Sequence, residues 1–298
     1  MIAGGTLATP SGTDPVPRAH RSARRRARRA RRRLLVAVLV VVVAVAGVIV
    51  GVVATRSTSP GPAAGMSLAF DPSFSGNSLD NATWGTCFSW FNPAKGCTNF
   101  GNSIRDEWYL PSGVRVSGGT LRLVATKKKT EGTTKTGAPL TYPYTSGMVT
   151  TRKSFDFTYG YVQIEAKTPG GTGTWPALWL LPKNEVWPPE IDIMENWGST
   201  RTIRTTFFWS DAGTVDYARQ NDRATSNLTV GYHTYGLLWR PGSLTWYLDG
   251  KAVYKYTGSS VPHEPMYLLA NMAVAGHAAS GSTFSIRSVQ IYRYDSSK

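Results

Sequence analysis

The sequence predicts an all-β domain, an antiparallel sandwich or barrel, preceded by a single membrane-crossing helix. Three observations predict it. From about Ser67 onward, short apolar or aromatic runs alternate with period two between turns rich in Gly, Pro, Asn and Asp. No long stretch of that part keeps a helical period. Residues 34–54, LLVAVLVVVVAVAGVIVGVVA, form one apolar block without a charge.

The first element is a basic tail. The chain of 298 residues carries a formal net charge of +15, but residues 1–33 hold ten arginines against one acid, Asp14, which accounts for nine of those charges. The excess belongs to the tail, so the charge is read as a topology signal and nucleic acid is not expected as a partner. Residues 34–54 as a helix would be about 31 Å long at ~1.5 Å per residue, close to the ~30 Å hydrocarbon core of a bilayer. The arginines then stay cytoplasmic and the rest of the chain lies outside the plasma membrane, single-pass. Val52-Val53-Ala54 offers a small-residue cleavage site; if it is used, the domain is secreted. The Ala-, Val- and Arg-rich tail has the composition of a GC-rich bacterial genome. Residues 55–66, TRSTSPGPAAGM, read as a linker.

Residues 67–298 form the domain itself. TLRLVAT (120–126), YGYVQIEAK (159–167) and FSIRSVQIYRY (284–294) are strands, and YGLLWRPGSLTWYLDGKAVYKY (235–256) is a pair of hairpins with tips at Pro241-Gly242 and Asp249-Gly250. Roughly 230 residues of short strands suffice for one sandwich or barrel core. Cys87 and Cys97 are the two cysteines. In an exported chain they most simply form one short-loop disulfide.

Chemistry concentrates in EIDIME, residues 190–195. As a strand, Glu190 and Asp192 share one face while Ile191 and Ile193 enter the core. Glu195, five positions from Glu190, would point inward unless a β-bulge near Ile193-Met194 re-aims it. The bulge leaves the two glutamates about 13 Å apart at Cα, at ~3.3 Å per pleat position. Side chains leaning together could reach the ~5–5.5 Å carboxyl separation of a retaining glycosidase. Asp192 between them adds a like charge and a hydrogen-bond partner that can hold one glutamate protonated. An acidic edge would not alternate with Ile and Met, and a calcium site needs about 6–8 oxygens on a suitable turn.

This strand resembles the bulged active-site strand of family 16 of the glycoside hydrolases, the laminarinase-like endo-β-glucanases. GTWPALWLLP (173–182), GYHTYGLLW and WYLDG (231–250), and PMYLLANMAV (265–274) extend the resemblance, with YTSGMVTT and EWYLPSGVRVSGGTLRLVAT, over nearly all of residues 67–298. It implies a β-jelly-roll of two curved antiparallel sheets with an open cleft on the concave face. It implies a retaining double displacement with Glu190 as nucleophile, Glu195 as general acid/base and Asp192 between them. It also implies cleft roles for Trp175 and Trp179 and a substrate contact for Asn271. Trp187 and Trp197, which bracket the acids, are further stacking candidates. Trp239 and Trp246, in an alternating hairpin, are read as core, and His233 as a structural hydrogen bond. Laminarinases often carry Arg where Met148 stands and His where Phe208 stands, and many have a Trp where HAAS follows NMAVAG. These departures weaken laminarin itself as the substrate.

The expected protein is therefore a monomeric endo-glycosidase acting on β-1,3- or mixed β-1,3/1,4-glucan outside the membrane. The alternatives are a transglycosylase, a hydrolase of a galactan or envelope glycan, or a surface lectin that has lost activity. No cofactor or catalytic metal is required, although the family allows a structural calcium.

Overall fold

A computed structural model describes residues 65–88, 105–134, 136–224 and 226–295. The alternating runs become β1 (Met66–Phe70), β2 (Glu107–Tyr109), β3 (Val114–Ser117), β4 (Thr120–Thr133), β5 (Pro139–Ser146), β6 (Met148–Thr150), β7 (Gly160–Lys167) and β8 (Thr174–Pro182). The second half adds β9 (Glu190–Glu195), β10 (Thr202–Asp211), β11 (Thr214–Arg223), β12 (His233–Arg240), β13 (Ser243–Leu248), β14 (Lys251–Thr257), β15 (Met266–Val274) and β16 (Ser282–Tyr294). Among the described residues the one helical element is a single 3-10 turn, Pro111–Gly113.

The strands make two sheets. The larger has ten strands and runs β14–β13–β12–β7–β16–β4–β5–β2, with β1 on β16 and β3 on β4; the smaller has six and runs β11–β10–β9–β8–β15–β6. Every pairing is antiparallel except β2 with β5, a parallel pair that the expectation of two purely antiparallel sheets did not include. Tyr144 N–H donates to the carbonyl of Asp106 just before β2, and Leu110 N–H just after it donates to Ser146. These bonds fasten the segment to β5 of the larger sheet, and Asp106 N–H, donating to the Val274 carbonyl of β15 at 2.9 Å, ties it to the small sheet.

The core lies between the sheets, as two half-apolar surfaces require. Leu178 and Leu180 of β8, Ile191 of β9, Phe207 of β10 and Leu268, Ala270 and Met272 of β15 meet Val162 and Ile164 of β7, Leu237 and Trp239 of β12, and Phe284 and Ile286 of β16. Trp239 and Trp246 are fully buried there. The predicted hairpin tips are present: Gly242 has φ 69°, and Asp249 and Gly250 have φ 50° and 79°. Positive φ at both of the latter suits a tight two-residue turn matched to the strand twist.

His233 takes the structural role. Its ring bonds Asp249 at 2.8 Å through Nδ1 and donates to the Asn227 carbonyl at 3.1 Å through Nε2. The Asp249 hydrogen bond raises its pKa.

No helix among the described residues is long and apolar enough to cross a membrane. The expected tail (1–33), span (34–54) and most of the linker lie outside the described residues, as does Cys97. Cys87 packs against the aromatic cluster on the outer face of the small sheet and is not a free thiol.

Candidate active site

Strand β9 carries the bulge. On its β8 side Trp179 pairs with Asp192 and Leu178 with Met194, which leaves Ile193 as the extra residue; Ala177 then pairs with Glu195. On its β10 side Phe208, Thr206 and Arg204 face Glu190, Asp192 and Glu195 in turn. Ile193 and Met194 both enter the core. The strand spends its extra position inward, and the three acids emerge together on the outer face.

That face is a grid. One row is Glu190, Phe208 and Tyr217; the next is Asp192, Thr206 and Arg219; the third joins Glu195 to Arg204. On the other flank β8 and β15 contribute Trp175, Ala177, Trp179, Leu269 and Asn271. Each glutamate accepts one indole N–H: Trp187 donates to Glu190 Oε2 and Trp175 to Glu195 Oε1, both at 2.7 Å. From below, Trp246 of the large sheet donates to the backbone carbonyl of Asp192 at 2.9 Å.

Electrostatics separates the three carboxyls. Burial pushes Glu190 up to about 7, against hydrogen bonds from Trp187 and Asp192, with the Glu195 charge adding to the rise. Asp192 is raised well above its usual range by burial first and then by both neighbouring glutamates. The hydrogen bond between them lowers Glu190 and raises Asp192, the direction of a proton held on Asp192 and donated to Glu190. The shortest acid, 4% exposed between two others, has the least solvent to support its charge. Glu195 is raised by burial, opposed by the Trp175 N–H and by Arg105, Arg204 and Arg219.

The tryptophans sort differently from the sequence expectation. Trp187 and Trp197 are 52% and 45% exposed, whereas Trp175 and Trp179 are 5% and 3% exposed. Trp179 donates to Asn271 Oδ1 at 2.7 Å, and Asn271 in turn donates to Tyr109 at 3.0 Å. With Phe88 and Tyr109 packed over them, Trp179 and the 1% exposed Asn271 brace the floor and do not present a surface to substrate. Trp175 stacks on Trp197 with ring centroids 3.7 Å apart and hydrogen-bonds Glu195. Met148 lies beside Asn271, fully buried. Phe208 forms an aromatic chain with Trp187 and Tyr217, at 6.0 and 5.8 Å.

Sequence reasoning used EWYL only as part of the family resemblance and gave RDEWY, residues 105–109, no role at the site. Arg105 lies over the Trp175 ring at 4.0 Å. Glu107, fully buried, accepts Val274 N–H at 2.8 Å, and burial pushes its pKa up to about 7 against the Arg105 charge. Tyr109 links Glu107 to Asn271. A mixed-charge aromatic run was the available signal, but its placement depends on the parallel β2–β5 contact. Among the described residues no cluster of three or more His, Cys, Asp or Glu side chains is arranged to hold a metal.

A profile of Glycosyl hydrolases family 16 matches residues 111–289. The Endo-1,3-1,4-beta-glycanase ExsH of Rhizobium meliloti (strain 1021) is 33% identical over 250 residues, which are 77% of this chain and 52% of that protein. The Endo-1,3-1,4-beta-glycanase EglC of the same organism is 34% identical over 223 residues, 69% of this chain and 47% of its own length. The chain thus spans about half the length of these curated relatives. The solved structure of an endo-beta-1,3-glucanase from Pyrococcus furiosus superposes with a TM-score of 0.65 at 26% identity, covering 77% of this chain and 95% of that one.

Proposed function

The chain belongs to glycosyl hydrolases family 16 and is a glycoside hydrolase, and from that membership we propose a retaining endo-glycosidase of β-1,3- or mixed β-1,3/1,4-glucan. One observation carries the reading: the bulged strand β9 turns Glu190, Asp192 and Glu195 onto one face, with an indole N–H on each glutamate. The names of the relatives, endo-1,3-1,4-β-glycanases and an endo-β-1,3-glucanase, support the glucan class.

In the first displacement the Glu190 carboxylate bonds to the anomeric carbon as the glycosidic C–O bond breaks, and Glu195 gives its proton to the departing oxygen. In the second, the Glu195 carboxylate takes a proton from water, whose oxygen attacks the anomeric carbon and releases Glu190. Asp192 keeps its proton and hydrogen-bonds Glu190 through the cycle. A sugar hydroxyl in place of water gives transglycosylation by the same steps. Trp187 and Trp197 supply exposed faces for sugar rings.

The test is product release by the full chain from laminarin, barley glucan, xyloglucan, galactan and agarose, with Glu190→Gln and Glu195→Gln beside it. Oligosaccharides from the glucans, a loss of about 10²–10⁴-fold in Glu195→Gln, and initial NMR signals of the retained β-anomer are the expected outcome. Inverted products would overturn the double displacement. Retention by one polysaccharide without cleavage of any would favour a lectin.

From the charge-free block at residues 34–54 behind an arginine-rich tail, and from the two cysteines, we further propose a domain outside the plasma membrane, tethered through that block or released by cleavage there, as a monomer with a Cys87–Cys97 bridge and no cofactor.

A further inference from the structure

Three arginines, Arg105, Arg204 and Arg219, act on Glu195. Arg204 lies directly opposite Glu195 on β10, and Arg219 lies on β11 in the row that begins at Asp192. Neighbouring strands are about 5 Å apart, so both guanidinium groups border the stretch of cleft that holds the acids. A general acid must keep its proton until delivery, and Arg105, Arg204 and Arg219 all draw Glu195 toward the ionised form. Cations placed there oppose the acid step and favour only the later step in which Glu195 acts as a carboxylate base.

The charge pattern of the β10–β11 hairpin is sorted by face. Asp216 pairs with Trp209 and Asp222 with Ile203, on the side away from the cleft. Tyr217 pairs with Phe208 and Arg219 with Thr206, on the cleft side. A solvating edge strand would interleave its signs on both faces. The cations are also held by rings: Arg219 lies over Tyr217 at 4.7 Å and Arg204 over Trp197 at 5.2 Å. Tyr217 and Trp197 are themselves 53% and 45% exposed. Guanidinium forks beside half-exposed aromatic rings suit a sugar ring that bears an oxyanion.

We propose that the cleft takes a glycan carrying an anionic substituent, a carboxylate or a sulfate ester, which Arg204 and Arg219 receive beside Glu195. This rests on the glycosidase reading and names its substrate class. The bound anion would offset the cations facing Glu195 and leave Arg105 and the Glu190 carboxylate as the remaining charges around it, beside the proton-bearing Asp192, so the acid is fully competent only with the charged substrate in place.

Binding of laminarin, carboxymethyl-laminarin and sulfated laminarin to full-chain Glu195→Gln, by calorimetry at low and high salt, tests this alongside kcat/KM of the unmodified enzyme on the same three. We expect one derivative to bind about tenfold or more tightly than laminarin at low salt, as a charge-assisted hydrogen bond allows. Which derivative wins distinguishes carboxylate from sulfate. Adding Arg204→Gln or Arg219→Gln should shrink the ratio, and the pair should bring it near one; Lys128→Gln, an exposed charge on the larger sheet, should leave it intact. Equal or weaker binding of both derivatives, or a preference that survives both substitutions, overturns the proposal while cleavage of neutral laminarin keeps the glucanase reading. A charge preference without cleavage of any of the three keeps the proposal's binding claim and overturns the enzyme reading. No binding by any of them sinks both.

Discussion

Replacing Trp187 by Phe removes the indole N–H that Glu190 accepts and keeps the ring. That hydrogen bond lowers the Glu190 pKa against the rise from burial. As nucleophile Glu190 must be ionised, so activity is lost as pH falls through its pKa, and losing the donor moves the acidic limb upward. The shift should be up to about one pH unit, since hydrogen bonds to charged groups are worth ~1.5–3 kcal/mol and one unit is ~1.36, discounted for the ring's exposure. Trp175→Phe acts on Glu195, which must hold a proton and whose pKa the Trp175 N–H lowers. Its alkaline limb should therefore also move up while the acidic limb stays. Profiles of kcat/KM against pH for the two variants decide this, and exchanged or unmoved limbs would sink the assignment of roles. The acids were legible at this scale because five is an odd spacing among alternating positions. The ranking of the tryptophans was not. Alternation gives the face of Trp175 and Trp179 but not what covers them, and Phe88 and Tyr109 arrive from distant segments.

Strand β9 is one residue longer than its facing requires. Deleting Ile193, the residue unopposed on β8, leaves Glu190, Asp192 and Glu195 at even spacing and still in phase. The variant should fold and retain cleavage of the wild-type substrate, with a stability loss of about 2–5 kcal/mol from the missing core side chain, read as a lower midpoint in urea. Deleting Ile191 instead puts Glu190 out of phase with Asp192, and activity should vanish. Equal activity in the two deletions would refute the bulge as the device that aims Glu195. The bulge and both hairpins were readable because each depends on residues adjacent in sequence. The position of Arg105 was not, since it follows from a parallel contact between β2 and β5 and from packing on Trp175 of a strand some seventy residues on. The facing of Arg204 and Arg219 likewise needs the register of β9 with β10 and β11, which period two alone does not supply.

At the largest scale, two sheets among the described residues enclose one core, and the acids stand on the outer face of the smaller sheet. The sandwich was predictable from turn spacing and alternation; the order of strands was not, because β7 sits between β12 and β16 and β8 between β9 and β15 through long connections. Trp246, fully buried in the larger sheet, holds the backbone of Asp192 in the smaller one, while Ile191, Ile193 and Met194 sit in the shared core. Local opening of β9 would have to break that indole bond and expose all three side chains, which approaches the cost of unfolding the domain. Native-state amide exchange should therefore place the interior of β9 with the slowest core strands, and heat should abolish activity and tertiary structure at one temperature. Activity lost well below the melting transition would contradict it. Many enzymes keep their working parts among the first segments to fray; here the working strand should be among the last to let go.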